Sequence, residues 1–219
     1  MNMRSWAPIR ELRRYKTSIP EPQGLAVLGS QLLVSFRPNR VIHTLDLASS
    51  HLEDWTTTSE TAIGLAASKD RVWAVCGYGP DEDRHLFEYD LDGRQRRDPV
   101  RCPDGTGSYI TYDGHDLYLS QWYNRHVFKL TGDSGFEPLL TAQRGICGIA
   151  AVDGSLTLLT TSDESTESYY LERFDPSGTA AGGFDLATVP FRARSLVWTG
   201  SEFLTNHREA GEIVAFSLT

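Results

Sequence analysis

The chain has 219 residues, 40% hydrophobic and 11% aromatic, with 19 glycines, 10 prolines and a formal net charge of −8. That is enough chain to bury a sizeable core without disulfides, in a composition that is neither disordered nor fibrous. The acidic balance argues against nucleic acid, and no run approaches the roughly 18 apolar residues of a membrane span, so neither partner is expected.

Reading from the N-terminus, Arg4, Arg10, Glu11, Arg13, Arg14 and Lys16 leave no apolar leader core, and a cytoplasmic protein is expected. Ile9 to Thr17, between Pro8 and Pro20, is a spare extended segment. Beyond it, short apolar runs alternate with Gly, Asp, Ser and Asn punctuation, with little helical periodicity. Gly24-Leu25-Ala26-Val27 is echoed by Gly64-Leu65-Ala66-Ala67, Ser108-Tyr109-Ile110-Thr111, Gly148-Ile149-Ala150-Ala151 and Ser195-Leu196-Val197-Trp198. The steps are 40, 44, 40 and 47 residues. A second strand starts near Leu32, Val72, Leu117, Leu156 and Phe203, and a third ends near Asp46, Asp90, Thr131, Asp175 and Ser217. The turns Gly29-Ser30, Lys69-Asp70, Asp113-Gly114, Asp153-Gly154 and Gly200-Ser201 join the first two strands with residue types that tolerate positive φ. Asp92-Gly93, Gly132-Asp133 and Ser177-Gly178 lead into a weaker fourth strand.

Four antiparallel strands repeating at this interval are the period of a β-propeller blade, whereas a β-sandwich would not normally recur as five aligned copies. The expectation is an all-β, five-bladed β-propeller with four-stranded antiparallel blades. It is a single domain over 1–219, with blades starting near 24, 64, 108, 148 and 195. The fifth module stops after its third strand. Segment 9–17 is therefore expected to pair with Ile213–Leu218 and close the ring, which protects two strand edges.

Gly24-Leu25-Ala26-Val27, Asn39-Arg40-Val41 and Leu45-Asp46, with Gly148-Ile149-Ala150-Ala151-Val152-Asp153-Gly154, resemble NHL-type propeller repeats. They are also similar to the repeats of gluconolactonase-like and glutaminyl-cyclase-like propellers. The resemblance covers nearly the whole chain, lies in blade-building residues and implies the fold. Gln23-Gly24-Leu25 resembles the opening motif of plant-type glutaminyl cyclases, but Ile63-Gly64-Leu65 stands where that family has an acidic residue at the start of its second blade. Gluconolactonase-like enzymes hold a metal through a carboxylate and an asparagine or aspartate at the axis. The equivalent positions here supply no such set, so no metal is expected.

In such rings the connections between blades meet the second-to-third-strand hairpins on one face, where sites usually lie, by analogy of fold. The positions before the first strand, Gln23, Ile63, Gly107, Cys147 and Arg194, are expected around the axis mouth. The second strands end there in Phe36, Cys76, Gln121, Thr160 or Thr161, and His207. From second-strand start to third-strand end, modules one, three and five span 14 residues and modules two and four span 18 and 19. Gly77-Tyr78-Gly79-Pro80 and the segment 162–168 are therefore candidate walls or lids, or else tolerated insertions.

Arg37, Arg40, Arg84, Arg125, Arg144, Arg192, Arg194 and Arg208 fall in these face-forming segments, with Phe36, Tyr78, Trp122, Tyr123 and Phe191 among them. Guanidinium and aromatic groups together suit an anionic or aromatic small molecule. Glu21, Glu60, Asp81, Glu82, Asp83, Asp104, Asp163, Glu164, Glu167, Glu209 and Glu212 in the same segments offer ion-pair partners instead. The ligand-binding candidates are Gln23, Phe36, Arg37, Tyr78, Gln121, Trp122, Tyr123, Arg192 and Arg194. Candidate catalytic residues are His207, as a base, and Cys147, as a nucleophile if a base lies in reach. No P-loop, dinucleotide, H-E-x-x-H or G-x-S-x-G motif occurs, and no cofactor is expected. Cys76, Cys102 and Cys147 are odd in number, widely spaced and read as reduced core thiols. The reading that follows is a propeller binding a small molecule or peptide in its central funnel. A metal-independent lyase, cyclase or isomerase there, and a protein-interaction scaffold, are the alternatives.

Overall fold

The structure is a computed structural model that describes residues 7–163, 165, 168–177 and 184–218, the side chains of 184 and 185 aside. Strand β1 (Arg10–Lys16) precedes the first module. Blade one is β2 (Pro22–Leu28), β3 (Gln31–Phe36), β4 (Val41–Asp46) and β5 (His51–Thr57). Blade two is β6 (Gly64–Ala67), β7 (Val72–Tyr78), β8 (Asp83–Tyr89) and the short β9 (Val100–Arg101). Blade three is β10 (Ile110–Tyr112), β11 (Leu117–Ser120), β12 (His126–Thr131) and β13 (Gly135–Thr141). Blade four is β14 (Gly145–Val152), β15 (Ser155–Thr161), β16 (Tyr169–Phe174) and β17 (Phe184–Val189). Blade five holds β18 (Ala193–Trp198), β19 (Phe203–His207) and β20 (Glu212–Ser217), with β1 as its outer strand. The inner strands touch in a ring, β2 on β6, β6 on β10, β10 on β14, β14 on β18 and β18 on β2. The molecule is a five-bladed β-propeller. Among the described residues, no helix is long and apolar enough to cross a membrane.

Ring closure follows from the incomplete fifth module. Strand β1 pairs antiparallel with β20 from Arg10 opposite Ser217 to Lys16 opposite Glu212, with a bulge between Glu11 and Arg13. Arg13 donates to Glu202 at 2.5 and 2.6 Å, and Arg14 bridges Glu11 and Glu212 at 2.8 and 2.9 Å. An outer strand so charged and exposed blocks further edge pairing.

Side-chain alternation places one apolar cluster in each gap between blades. Leu32, Val34 and Phe36 of β3 meet Leu204, Ile213 and Ala215 of blade five, while Leu33 faces Leu65 and Ala74 of blade two. The inner strands come close enough to need glycine. A Cβ on Gly64 would strike the Ser108 carbonyl and lie 2.8 Å from Tyr109 Cα. One on Gly148 would lie 2.6 Å from the Ser195 carbonyl carbon.

The long hairpin of blade two proves to be mostly strand. Pairing in blade one stops at Ser35 opposite Ile42, whereas in blade two it continues through Cys76–His85 and Gly77–Arg84 to Tyr78–Asp83. The added residues are ladder rungs, and only 79–82 form the tip. In blade four the ladder ends at Thr161 opposite Tyr169, and Glu164, Thr166 and Glu167 of the expected wall lie outside the described residues, as does Gly178.

Candidate functional site

At the face where second strands end, consecutive residues point to opposite sides of a blade. Phe36 turns back into the gap with blade five, so Arg37 turns toward blade two. Arg208 stands one residue past β19, as Arg37 stands one past β3, and it reaches Gln23 and Arg37 of blade one. Two clefts result. The larger, about 370 Å³, is lined by Gln23, Arg37, Glu60, Ile63, Arg84 and Arg208, with Thr61 and Glu82 at its rim. The smaller, about 170 Å³, is lined by Glu21, Arg37, Arg192, Arg194, Arg208 and Glu209. They share Arg37 and Arg208.

The arginines differ in how they are satisfied. Arg37 lies 3.7 Å from Glu21, both groups largely exposed, and Arg40 holds Glu60 at 2.8 Å. Arg192 pairs with Glu209 and donates to the Ser165 carbonyl at 2.9 Å, tying the hairpins of blades four and five together. Arg194 donates to the Tyr169 hydroxyl at 2.7 Å, approaches Cys147 Sγ at 3.6 Å and stacks over the Trp122 and Tyr169 rings. Burial opposes its charge, but Cys147, Tyr109 and Tyr169 outweigh that and raise its pKa.

Arg208 is the exception. It is half-buried, it makes no ion pair, and its Nε has no hydrogen-bond partner among the described residues. Burial pushes its pKa down, and Arg194 and Arg37 add to this, while Tyr109 and Glu21 offset part of it. Its neighbours in sequence share the condition, since Asn206 Oδ1 and His207 Nδ1 are also buried without a partner. A buried polar atom left unpaired costs on the order of 1–3 kcal/mol, more when charged, and of the three only Arg208 lines the clefts.

The structure brings Gln23, Arg37, Arg192 and Arg194 of the expected site into the two clefts. The buried Tyr109, which lines neither cleft, accepts through its hydroxyl from Gln23 Nε2 at 3.5 Å. The other candidates lie elsewhere. Phe36 is wholly buried between blades one and five. Gln121 spends its amide nitrogen on the Pro103 and Thr106 carbonyls and accepts from Asn124. Trp122 packs over Gly145, leaving Tyr123 87% exposed at the hairpin tip. Tyr78, 48% exposed, leans edge-on to His85 and Phe87. His207 stacks on Phe191 with centroids 4.9 Å apart, and Cys147 is fully buried. Gln121, His207 and Arg194 therefore take their recorded partners from different parts of the ring.

Arg84 and Arg208 complete the clefts without having been singled out from the other arginines of this face. The signal for Arg208 was its place one residue past the strand, matching Arg37. All three cysteines are buried, and burial pushes the Cys76 and Cys102 thiols up to about 12. Among the described residues, no three His, Cys, Asp or Glu side chains gather as a metal set.

No protein-family model matches the chain, and no curated protein does. Solved structures do. A glutaminyl cyclase from Myxococcus xanthus is similar over 96% of this chain and 98% of its own, at 17% identity and a TM-score of 0.66. The PQQ-bound aldose sugar dehydrogenase of Streptomyces coelicolor is also 17% identical with a TM-score of 0.66, over 96% and 81% of the two chains. A catalytically inactive virginiamycin B lyase from Staphylococcus aureus with quinupristin is 12% identical, over 94% and 99%, with a TM-score of 0.58. What is shared is the fold. A propeller of this type carries different chemistries in different chains, so the reading of this one rests on its own clefts.

Proposed function

We propose that this propeller binds a small, polar, anionic molecule at the arginine-lined mouth of its axis. The observation that carries the reading is Arg208, a half-buried guanidinium with no carboxylate at ion-pair distance among the described residues, set beside Arg37 and Arg194. Such a group is costly to hold unless an anion compensates it in the working state. The lining also narrows the ligand. Tyr78, Trp122, Tyr123 and Phe191 stay outside both clefts and Ile63 is their one apolar side chain, which favours a polar molecule over an aromatic one.

A metal-independent lyase, cyclase or isomerase working in the same funnel is the second reading. The Tyr109 hydroxyl, bonded to Gln23 of the larger cleft, favours it, as do the cyclase and lyase among similar folds. The test is a thermal-shift and calorimetric screen of small carboxylates and phosphates against the wild-type chain and Arg208→Gln. The expected result is a ligand-dependent rise in melting temperature that Arg208→Gln abolishes. That variant alone should melt within about 3 °C of wild type, because it removes a strained charge rather than a core contact. No response to any anion, or an equal response in the variant, would overturn the reading and leave an interaction scaffold.

A further inference from the structure

Resting on that reading, we propose that the ligand carries two separated acidic groups, as a short dicarboxylate does, and spans both clefts. Arg37 and Arg208 stand at the boundary of the two clefts, and each cleft has guanidinium groups of its own. Arg84 belongs to the larger, Arg192 and Arg194 to the smaller. Arg192 already pairs with Glu209 and Arg194 donates to Tyr169, so a single compact anion at the shared pair would leave Arg84 as the guanidinium with no acid to meet.

Charge points the same way. The joint lining sets Arg37, Arg84, Arg192, Arg194 and Arg208 against Glu21, Glu60, Glu82 and Glu209. Glu60 is already held by Arg40, which lines neither cleft. The mouth is left with two positive charges in excess, and one carboxylate neutralises half of that.

Arg84 is the group built for the second acid. Among the described residues it makes no ion pair, and it faces Gly77 across the added rungs of blade two. Gly77 occupies the position that Arg37, Trp122, Thr161 and Arg208 hold in the other blades, one residue past the matched end of the second strand. A Cβ there would lie 3.0 Å from Arg84 Nη1, so the glycine leaves room for this guanidinium to fold into the cleft. The extended hairpin and the missing side chain thus work together to bring a cation in from blade two.

The experiment is titration calorimetry on the full chain in low-salt buffer. Succinate, glutarate and adipate are compared with butyrate and inorganic phosphate. The best diacid should bind about tenfold or more tightly than either control, as a second charge-assisted contact warrants. Arg84→Gln should remove that advantage, and Arg84→Lys should restore part of it. Gly77→Ala, which displaces the Arg84 guanidinium without removing its charge, should also narrow the gap. This variant keeps the test open if Arg84→Gln proves unstable. Diacids binding no better than butyrate or phosphate would overturn the two-acid inference while leaving the single-anion reading intact, provided Arg208→Gln abolishes that binding. Binding by no acid at all would overturn both.

Discussion

At one mouth of the ring the axis opens among Gln23, Arg37, Arg84, Arg194 and Arg208. At the other it opens into a cavity of about 100 Å³ lined largely by Ala26, Leu65, Ala66, Ile110, Ala151 and Val197. Side chains at the apolar mouth come from the inner strands themselves, where blade geometry admits little but small and aliphatic residues. Those at the polar mouth come mainly from hairpin ends and from connections between blades. The equivalent hairpin position there reads Arg37, Gly77, Trp122, Thr161 and Arg208. A repeat fixes what must pack and frees what need not.

If that division is right, three perturbations should separate the ends, in descending order of effect. Removing residues 1–17 strips the outer strand from the blade that supplies Arg194 and Arg208, along with buried Ile9 and its backbone bond to Thr188. The expected loss is about 4 kcal/mol or more, read as a melting temperature lower by ~10 °C. A truncated chain that melts like the full one would show that blade five does not need its closing strand. Gly64→Ala acts at the waist between the two mouths, where the new methyl meets the backbone of Ser108 and Tyr109. About 3 kcal/mol of destabilisation is expected, because backbone cannot swing away as a side-chain tip can. Urea unfolding that leaves this variant unchanged would mean the inner strands have slack.

The smallest effect concerns pH. Arginine keeps its charge across the working range, so anion binding at the polar mouth should be flat between about pH 6 and 9. Stability should not be flat. Burial lowers the pKa of His43, which lies edge-on to Phe36, and Asp54 at 3.0 Å offsets this only in part. Since the folded-state pKa is depressed, the unfolded chain takes up the proton first as pH falls. Stability is therefore held above the ordinary histidine value of about 6.5 and declines below it. Melting curves from pH 5 to 8 should show that slope, and His43→Leu should flatten its histidine component. An unaltered slope would place the titration elsewhere.

Much of this architecture was legible in the chain, for identifiable reasons. Turn chemistry at Gly29, Gly114, Asp153-Gly154 and Gly200 appears as positive φ, although Lys69-Asp70 turns instead through Ser68, whose hydroxyl holds Asp70 at 2.6 Å. The burial of Phe36 was also written, since it continues the alternation of Leu32 and Val34 and therefore belongs to the core rather than the mouth. Length alone did not say what the blade-two insertion would become. Tyr78, His85 and Phe87 pack on one face of the added ladder and make it strand.

The spacing and residue types of the sequence determined five four-stranded modules, the glycines at the crowded axis and the N-terminal strand that closes the ring. These are local properties, repeated five times, and repetition exposes them. Which arginines remain uncompensated was decided only in three dimensions. Arg40, Arg192 and Arg208 are alike as letters on the same face. Glu60 and Glu209 come within ion-pair distance of the first two, whereas among the described residues no carboxylate comes that close to the third, on which Glu21 acts only from farther off. Charge compensation depends on distances between distant segments, and those are set by the closure of the ring.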